Sequence, residues 1–144
     1  MSIKTPKIRV PKITGKNFLQ AMHNISADEP ANIRDRTRSG KDVALKPFAP
    51  YSKATIAYKE KKGVRGADPK TPHLMDSGKM LRSLYAKING ATSYIVSLSD
   101  HGDIGYRHQI GDGVPMRKWF GADAKMKKRQ KKELQKALEL EMRL

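Results

Sequence analysis

The dipeptide Asn89-Gly90 constrains the fold of this chain more than any other short feature. It stands between two runs of residues that favour β-strands, 83–88 and 91–100. Asn-Gly favours a two-residue hairpin turn, because both central residues of that turn need a positive φ angle. Alternate residues of the second run suit the buried face of a strand, namely Thr92, Tyr94, Val96 and Leu98. We therefore predict an antiparallel hairpin over about 83–99.

A further strand is predicted over 114–120, the segment that carries the only tryptophan, Trp119. Aromatic residues pack well on a half-buried sheet, and a second aromatic residue, Phe120, directly follows Trp119. We expect both aromatic residues, beside Pro115, to anchor this strand to the core or to a neighbour. The intervening residues, 101–113, suit a short turn or helix.

Three helices are predicted in the first half of the chain. Thr14 suits the cap of a helix to about residue 25, and Pro30 suits the first turn of a second helix over about 28–38. Ser52 and Gly63 suit the start and the end of a third helix.

Two more helices are predicted later in the chain. Asp76 or Ser77 is expected to cap a helix to about Tyr85, because Asp and Ser accept hydrogen bonds from the first free amides. Residues 122–143 are good helix formers whose lysines crowd the first half and whose glutamates crowd the second, against the helix dipole. The apolar stripe of this helix comprises Met126, Leu134, Ala137, Leu138 and Met142.

These elements predict one α+β domain over 14–144, in which an antiparallel β-sheet packs against helices and a C-terminal helix ends the chain. Residues 1–13 alternate apolar and basic side chains around two prolines, which favours an extended basic N-terminal arm. Residues 53–75 include a long basic loop, rich in glycine and proline, that we expect to be exposed.

The net charge is the feature of the composition that says most about binding partners. The chain has 144 residues, with 30 Lys and Arg against 14 Asp and Glu, and a net charge of +16. Nucleic acid, an acidic protein surface or an anionic membrane would each suit such a charge. Cysteine is absent, which excludes disulfides and thiolate chemistry. No signal peptide or membrane span is evident, so we expect a cytoplasmic protein that uses no membrane.

None of the three Gly-Lys dipeptides belongs to a phosphate-binding loop. Gly15, Gly40 and Gly78 each precede a lysine, but none has a glycine five places earlier, and no Ser or Thr follows the lysine. A nucleotide-binding loop needs both features. We predict no cofactor and no catalytic residue.

Two alternatives remain from the residues alone. A metal site or general base could use a cluster of acidic and imidazole groups, although such residues also collect in polar turns; the cluster comprises Asp100, His101, Asp103, His108 and Asp112. A sequence-independent DNA-binding surface could use the basic half of the last helix; its residues are Lys125, Lys127, Lys128, Arg129, Lys131 and Lys132. Further basic charge upstream comes from Arg34, Arg36, Arg38, Lys59, Lys61, Lys62 and Arg65.

The order of segments over about 29–144 resembles the tail-completion, or virion-morphogenesis, proteins of tailed bacteriophages. That family has a Leu-x-x-(Ser/Thr)-Gly-x-(Leu/Met) turn, a Tyr-x-x-His-Gln-x-Gly segment and a Pro-x-Arg-x-(Phe/Trp)-(Phe/Leu)-Gly segment before its last helix. The corresponding residues of those three segments are Leu74, Ser77, Gly78, Met80, Leu81, Tyr106, His108, Gln109, Gly111, Pro115, Arg117, Trp119, Phe120 and Gly121. Earlier matching positions are Ile33, Arg34, Gly40, Pro47, Phe48, Tyr51 and Lys59. The chain departs from the pattern at Gly105, where a small apolar residue is common, and at Lys118.

The resemblance implies a non-enzymatic α+β subunit that assembles into a ring, commonly hexameric, at the head–tail junction of the virion. Such a ring completes or terminates the tail and joins it to the head connector or neck proteins, while DNA passes through the lumen. Assembly would take place in the host cytoplasm. Tail completion, tail termination and a neck adaptor role all fit this implication.

Overall fold

The computed structural model describes residues 15–63, 68–90 and 93–143. Within them the chain is a small α+β domain with a two-stranded antiparallel sheet. The helices are α1 (Lys16–Arg38), α2 (Lys53–Lys62), α3 (Lys79–Arg82), α4 (Gly102–Ile110) and α5 (Ala124–Arg143). The strands are β1 (Leu84–Ile88) and β2 (Tyr94–Leu98). The α+β fold class is thus confirmed, while the predicted arm over 1–13 lies outside the described residues.

Helix α1 is continuous, so the predicted break between two helices near residue 27 is wrong. Pro30 lies inside the helix and is buried. An interior proline costs about 3 kcal/mol in an isolated helix, because it removes a hydrogen bond and crowds the preceding turn. Packing against the sheet and α5 offsets that cost, since α1 contributes buried residues along its length, from Phe18 to Ile33.

The start of α1 takes its cap from the far end of the chain. Gly15 precedes the helix and provides no side-chain hydrogen bond, and Thr14 lies outside the described residues. Instead, a carboxylate oxygen of Glu141 in α5 accepts the amides of Asn17 at 2.5 Å and Phe18 at 3.3 Å. Glu141 is therefore placed beside the first turn of α1, which carries free amides and partial positive charge.

The predicted hairpin is confirmed, but its two-residue turn is wrong. Strand β1 pairs with β2 so that Ile88 faces Tyr94, and the Asn89 amide donates to the Ser93 carbonyl at 2.8 Å. The connection therefore spans 89–93, of which 91 and 92, including Thr92 of the predicted alternation, lie outside the described residues. Val96 and Leu98 pack against the main core, as the alternation predicts.

The predicted strand over 114–120 is wrong, because other elements take its backbone groups. The Arg117 amide donates to the His108 carbonyl at 2.7 Å, and the Phe120 amide donates to the Gln109 side chain at 3.1 Å. The Val43 amide donates to the Lys118 carbonyl at 2.8 Å. The segment is an irregular loop fixed by α4 and by residues after α1.

The turn into α3 also differs from the prediction. The helix has only one turn, its cap is Gly78 rather than Asp76 or Ser77, and the chain enters β1 at Leu84. Gly78 is buried with φ +80, and a Cβ there would lie 2.7 Å from the Arg82 guanidinium. Only glycine adopts that left-handed geometry at little cost. Exposed Ser77 accepts the Lys79 amide at 3.4 Å.

The predicted ends of α2 are confirmed: Ser52 accepts the Thr55 amide at 3.2 Å, and Gly63 follows with φ +69. Of the predicted exposed basic loop, 64–67 lie outside the described residues, and Asp68 and Lys70 are exposed. The loop then turns inward, since His73 to Met75 are buried.

The apolar interior has two centres. The larger lies around Trp119, Ile33 and Leu81, where loops, α3 and the sheet meet. The smaller joins Phe18, Met22 and Ile25 of α1 to the apolar stripe of α5. In that stripe Met126 and Ala137 are buried, whereas Met142 is 42% exposed. No helix in the described ranges is long and apolar enough to cross a membrane.

Candidate functional site

Trp119 organises the region in which most family-motif positions meet. Its side chain is 1% exposed, and its indole N–H donates to the Gly105 carbonyl of α4 at 2.9 Å. A Cβ on Gly105 would lie 2.8 Å from the Trp119 ring and 3.0 Å from Leu98. The glycine that departs from the family pattern thus lets α4 approach the tryptophan closely.

Alanine at Gly105 is expected to destabilise the protein by about 1–2 kcal/mol, because its methyl group would overpack the contact with Trp119. Gly102→Ala is the matched control, since a Cβ at Gly102 meets nothing within 4 Å at the start of the same helix. We expect the control to be neutral or slightly stabilising. Urea unfolding of both variants measures the difference, and equal free energies of unfolding would contradict the close approach.

His108 and Gln109 join α4 to the irregular loop over 114–120, the tryptophan loop, through the two hydrogen bonds described above. The His108 carbonyl and the Gln109 side chain thus bind the Arg117 and Phe120 amides. The Phe120 ring meets the Trp119 ring edge-on, with centroids 5.4 Å apart. These motif residues therefore make structural contacts with one another.

Arg117 is a buried cation, only 3% exposed. It donates to the carbonyls of Ala49 at 3.0 Å and Pro50 at 3.3 Å, and its guanidinium lies 5.2 Å from the centre of the Tyr51 ring. Burial lowers the pKa of Arg117 and raises the pKa of Tyr51.

Lys59 is the second buried cation at the same tyrosine. It is 6% exposed, its ammonium lies 5.0 Å from the Tyr51 ring centre, and it donates to the Met75 carbonyl. Burial lowers the pKa of Lys59. Both cations thus contact the Tyr51 ring. The Tyr51 hydroxyl accepts a hydrogen bond from the Leu74 amide at 3.0 Å. A cavity of about 350 Å³ lies beside this arrangement.

Arg36 of α1 forms hydrogen bonds with the tryptophan loop and with the segment just before α5. It is 6% exposed and donates to Asp123 at 3.2 Å and to the carbonyls of Trp119 at 2.5 Å and Gly121 at 2.9 Å. Burial opposes ionisation of Asp123, but the Met126 amide and Arg36 outweigh it and lower the pKa of the carboxyl group. Asp123 in turn accepts the Met126 amide at 2.8 Å in the first turn of α5.

The remaining motif positions divide between interior and surface. Gly40 and Phe48 are buried beside one another, since the Phe48 amide donates to the Gly40 carbonyl at 2.8 Å. Tyr106 is 64% exposed and Pro115 is also exposed. Gly111 follows the last residue of α4.

The predicted basic surface of α5 is exposed, but part of the upstream charge is not. Each of the six α5 residues, Lys125, Lys127, Lys128, Arg129, Lys131 and Lys132, faces solvent. By contrast, Arg36 and Lys59 are buried, and half-buried Arg34 donates to the Leu81 carbonyl at 3.0 Å. Arg65 lies outside the described residues. Arg36 and Lys59 are therefore not available to the predicted DNA-binding surface, to which the sequence added their charge. Arg36 lies three residues after buried Ile33, at a position where the helical period predicts burial.

The acidic and imidazole cluster is not assembled into a metal-binding group. Within the described ranges, no three His, Asp or Glu side chains lie close enough together to hold a metal ion. The His101 Nδ1 lies 2.6 Å from a carboxylate oxygen of Asp100 at the start of α4. His108 lies in the last turn of α4, where burial, followed by the charges of Arg117 and Lys59, lowers its pKa. A metal-dependent activity thus gains no support from the geometry.

Comparison with protein-family models, with curated proteins and with solved structures finds no match for this chain.

Proposed function

We propose that this chain is a structural virion assembly protein that forms a ring at the head–tail junction of a tailed phage. The ring completes or terminates the tail and joins it to the head connector. In this proposal the subunit acts by self-association and docking, without catalysis, and it works in the virion after assembly in the host cytoplasm. Its partners are other copies of itself, connector or neck proteins and tail-tube or terminator proteins, with DNA passing through the lumen.

The observation that carries the proposal is the contact between two of the three family segments. The Tyr-x-x-His-Gln-x-Gly segment forms α4, and the Pro-x-Arg-x-Trp-Phe-Gly segment packs directly on it through His108, Gln109 and Trp119. Residues that share a role in shaping one surface are expected to contact one another. This supports the family resemblance on grounds independent of the order of the segments.

Exposed apolar side chains around α4 support self-association. Ile104, Tyr106 and Ile110 of the helix and Met116 of the next loop are between 43% and 64% exposed. They lie on more than one side of α4, and large apolar side chains exposed to solvent are candidates for protein–protein contacts. On the outer face of the hairpin, Tyr85 and Ile95 are also exposed, at 45% and 51%.

Size-exclusion chromatography with light scattering, over a range of protein and salt concentrations, tests the proposal. We expect a closed oligomer at high protein concentration. Tyr106→Glu with Ile110→Glu should shift the protein to smaller species, because each charge would be buried in the contact. Tyr58→Glu is the control, since Tyr58 is 53% exposed but lies on α2.

A strictly monomeric particle at every concentration, with no association with tail or connector proteins, would refute the proposal. An oligomer that Tyr58→Glu disrupts as strongly as the α4 variant would place the contact elsewhere.

A basic, sequence-independent DNA-binding accessory protein is the second candidate, favoured by the exposed cations of α5. Among the described residues, the salt bridges involve Arg36, Lys62 and His101, and none uses the six basic side chains of α5. Unpaired surface cations are the groups that contact phosphates.

Replacing Lys127, Lys128, Lys131 and Lys132 by glutamine is expected to weaken duplex binding in this second candidate. The slope of log K against log salt should become shallower by about 3 to 4, because each lost phosphate contact removes about 0.9. A matched control neutralises four exposed lysines elsewhere: Lys53, Lys61, Lys70 and Lys87. Fluorescence anisotropy between 50 and 200 mM salt measures both. Equal slopes for the two variants would count against a binding surface on α5.

A further inference from the structure

A groove of about 250 Å³ runs between β2 and α4. Three consecutive strand residues, Val96, Ser97 and Leu98, form one wall; Gly105 and Tyr106 form the other, and Trp119 lies between them. Every lining residue from the sheet belongs to β2, so the groove follows the edge of β2 that faces away from β1. Its walls are largely apolar.

The backbone of β2 offers unpaired hydrogen-bonding groups along this edge. The Asn89 amide bonds to Ser93 and the Ser99 amide bonds to Ser83, which fixes the bonded pairs of the antiparallel ladder. Bonded and non-bonded pairs alternate, so Ser97 bonds to β1 whereas the amide and carbonyl of Val96 point away from it. Within 15–63, 68–90 and 93–143, no further strand covers that edge.

Acidic side chains border the groove. Asp100 follows β2, and Asp103 lies in the first turn of α4, next to lining residue Gly102. Both are exposed. These two carboxylates favour a basic residue where β2 leads into α4, whereas the cations Arg107 and Lys118 lie next to the lining residues Tyr106 and Trp119.

We propose that the groove binds the N-terminal arm of a neighbouring copy as an added strand on β2. An open strand edge beside an apolar groove is the arrangement by which proteins bind an extended segment: the edge supplies backbone hydrogen bonds and the groove receives alternate side chains. The inference rests on the proposed self-association and specifies the contact that links one subunit to the next.

The sequence of the arm matches the groove in pattern and charge. Lys7-Ile8-Arg9-Val10 alternates basic and β-branched residues, so Ile8 and Val10 can enter the groove while the cations face solvent and the acidic border. Pro6 and Pro11 limit the added strand to these four residues, because proline cannot donate to a ladder. Residues 1–14 can extend up to about 46 Å from Gly15, far enough to reach a neighbouring subunit.

Cross-linking between single-cysteine variants tests the contact in the full chain, which has no cysteine of its own. One protein carries Ile8→Cys and a second carries Tyr106→Cys; the two are mixed and treated with a short bis-maleimide. The control replaces Tyr106→Cys by Tyr58→Cys, which is similarly exposed and lies away from the groove. We expect at least about tenfold more cross-linked heterodimer than in the control, because assembly raises the effective concentration of arm and groove from micromolar to millimolar.

Three outcomes would overturn the inference. Cross-linking equal to the Tyr58→Cys control would exclude the groove as the binding site of the arm. A chain with both Ile8→Cys and Tyr106→Cys that forms only intrachain cross-links would assign the arm to its own subunit. An intact oligomer in either case leaves the proposed function standing, whereas a protein that is monomeric throughout and shows no specific cross-link refutes both proposals.

Discussion

Replacing Arg36 by alanine is expected to lower the free energy of unfolding by about 3–5 kcal/mol. Arg36 and Asp123 are both buried, and removing the guanidinium leaves the carboxylate without its charged partner. The carbonyls of Trp119 and Gly121 lose their donor as well. Urea unfolding at neutral pH, followed by circular dichroism, measures the change.

The control is Arg107→Ala, which removes an exposed arginine from α4 and should change stability by less than about 0.5 kcal/mol. The double variant Arg36→Ala with Asp123→Ala should be less destabilised than the sum of the single variants, because it leaves no buried charge unpaired. Additive effects, or a loss below about 1 kcal/mol for Arg36→Ala, would show that the pair does not hold the loop to α1.

Acidification below pH 6.5 is expected to destabilise the protein through His73. This side chain is fully buried, its Nδ1 accepts the Met75 amide at 3.0 Å, and burial, followed by the charge of Lys59, lowers its pKa to about 4. Well above pH 6.5 the imidazole is neutral in both the folded and the unfolded chain. Between pH 6.5 and 4 only the unfolded chain takes up the proton, so stability falls by about 2–3 kcal/mol by pH 4.5.

His73→Gln should reduce the loss of stability on acidification. The remaining loss would come from His108, because burial lowers the pKa of that residue as well. His23→Gln, which replaces an exposed histidine, is the control and should retain the full loss. Free energies of unfolding measured in urea from pH 7 to 4.5 give the comparison. A His73→Gln profile parallel to that of the unmodified protein would refute a neutral buried imidazole.

Features encoded by neighbouring residues were predictable from the sequence. Ser52 and Gly63 bound α2, and the alternation around Val96 and Leu98 gives the inner face of the hairpin. Each needs only local geometry: a cap, a positive φ angle or a period of two. The exposed lysines of α5 follow in the same way from one helical pattern.

Features that depend on distant partners were not predictable. Residues 114–120 have the composition of a strand, yet their amides bind α4. Pro30 suggests a helix start, yet packing along α1 keeps the helix continuous. Arg36 and Lys59 look like surface charge, and only the carbonyl and carboxylate groups that meet them in the folded chain make their burial possible.

The cap that Glu141 places on α1 has a consequence for the order of folding. The capped amides and the carboxylate are 123 and 124 residues apart, and the apolar face of Phe18, Met22 and Ile25 packs against the same helix. Closing a loop of that length costs about 4 kcal/mol of chain entropy before the contact stabilises anything. During synthesis α1 and the hairpin residues Ile88 and Tyr94, which pack on the same face, leave the ribosome before α5, so the part of this face that α5 covers stays exposed until then. Native packing of the second core centre is therefore completed only after synthesis has passed Glu141.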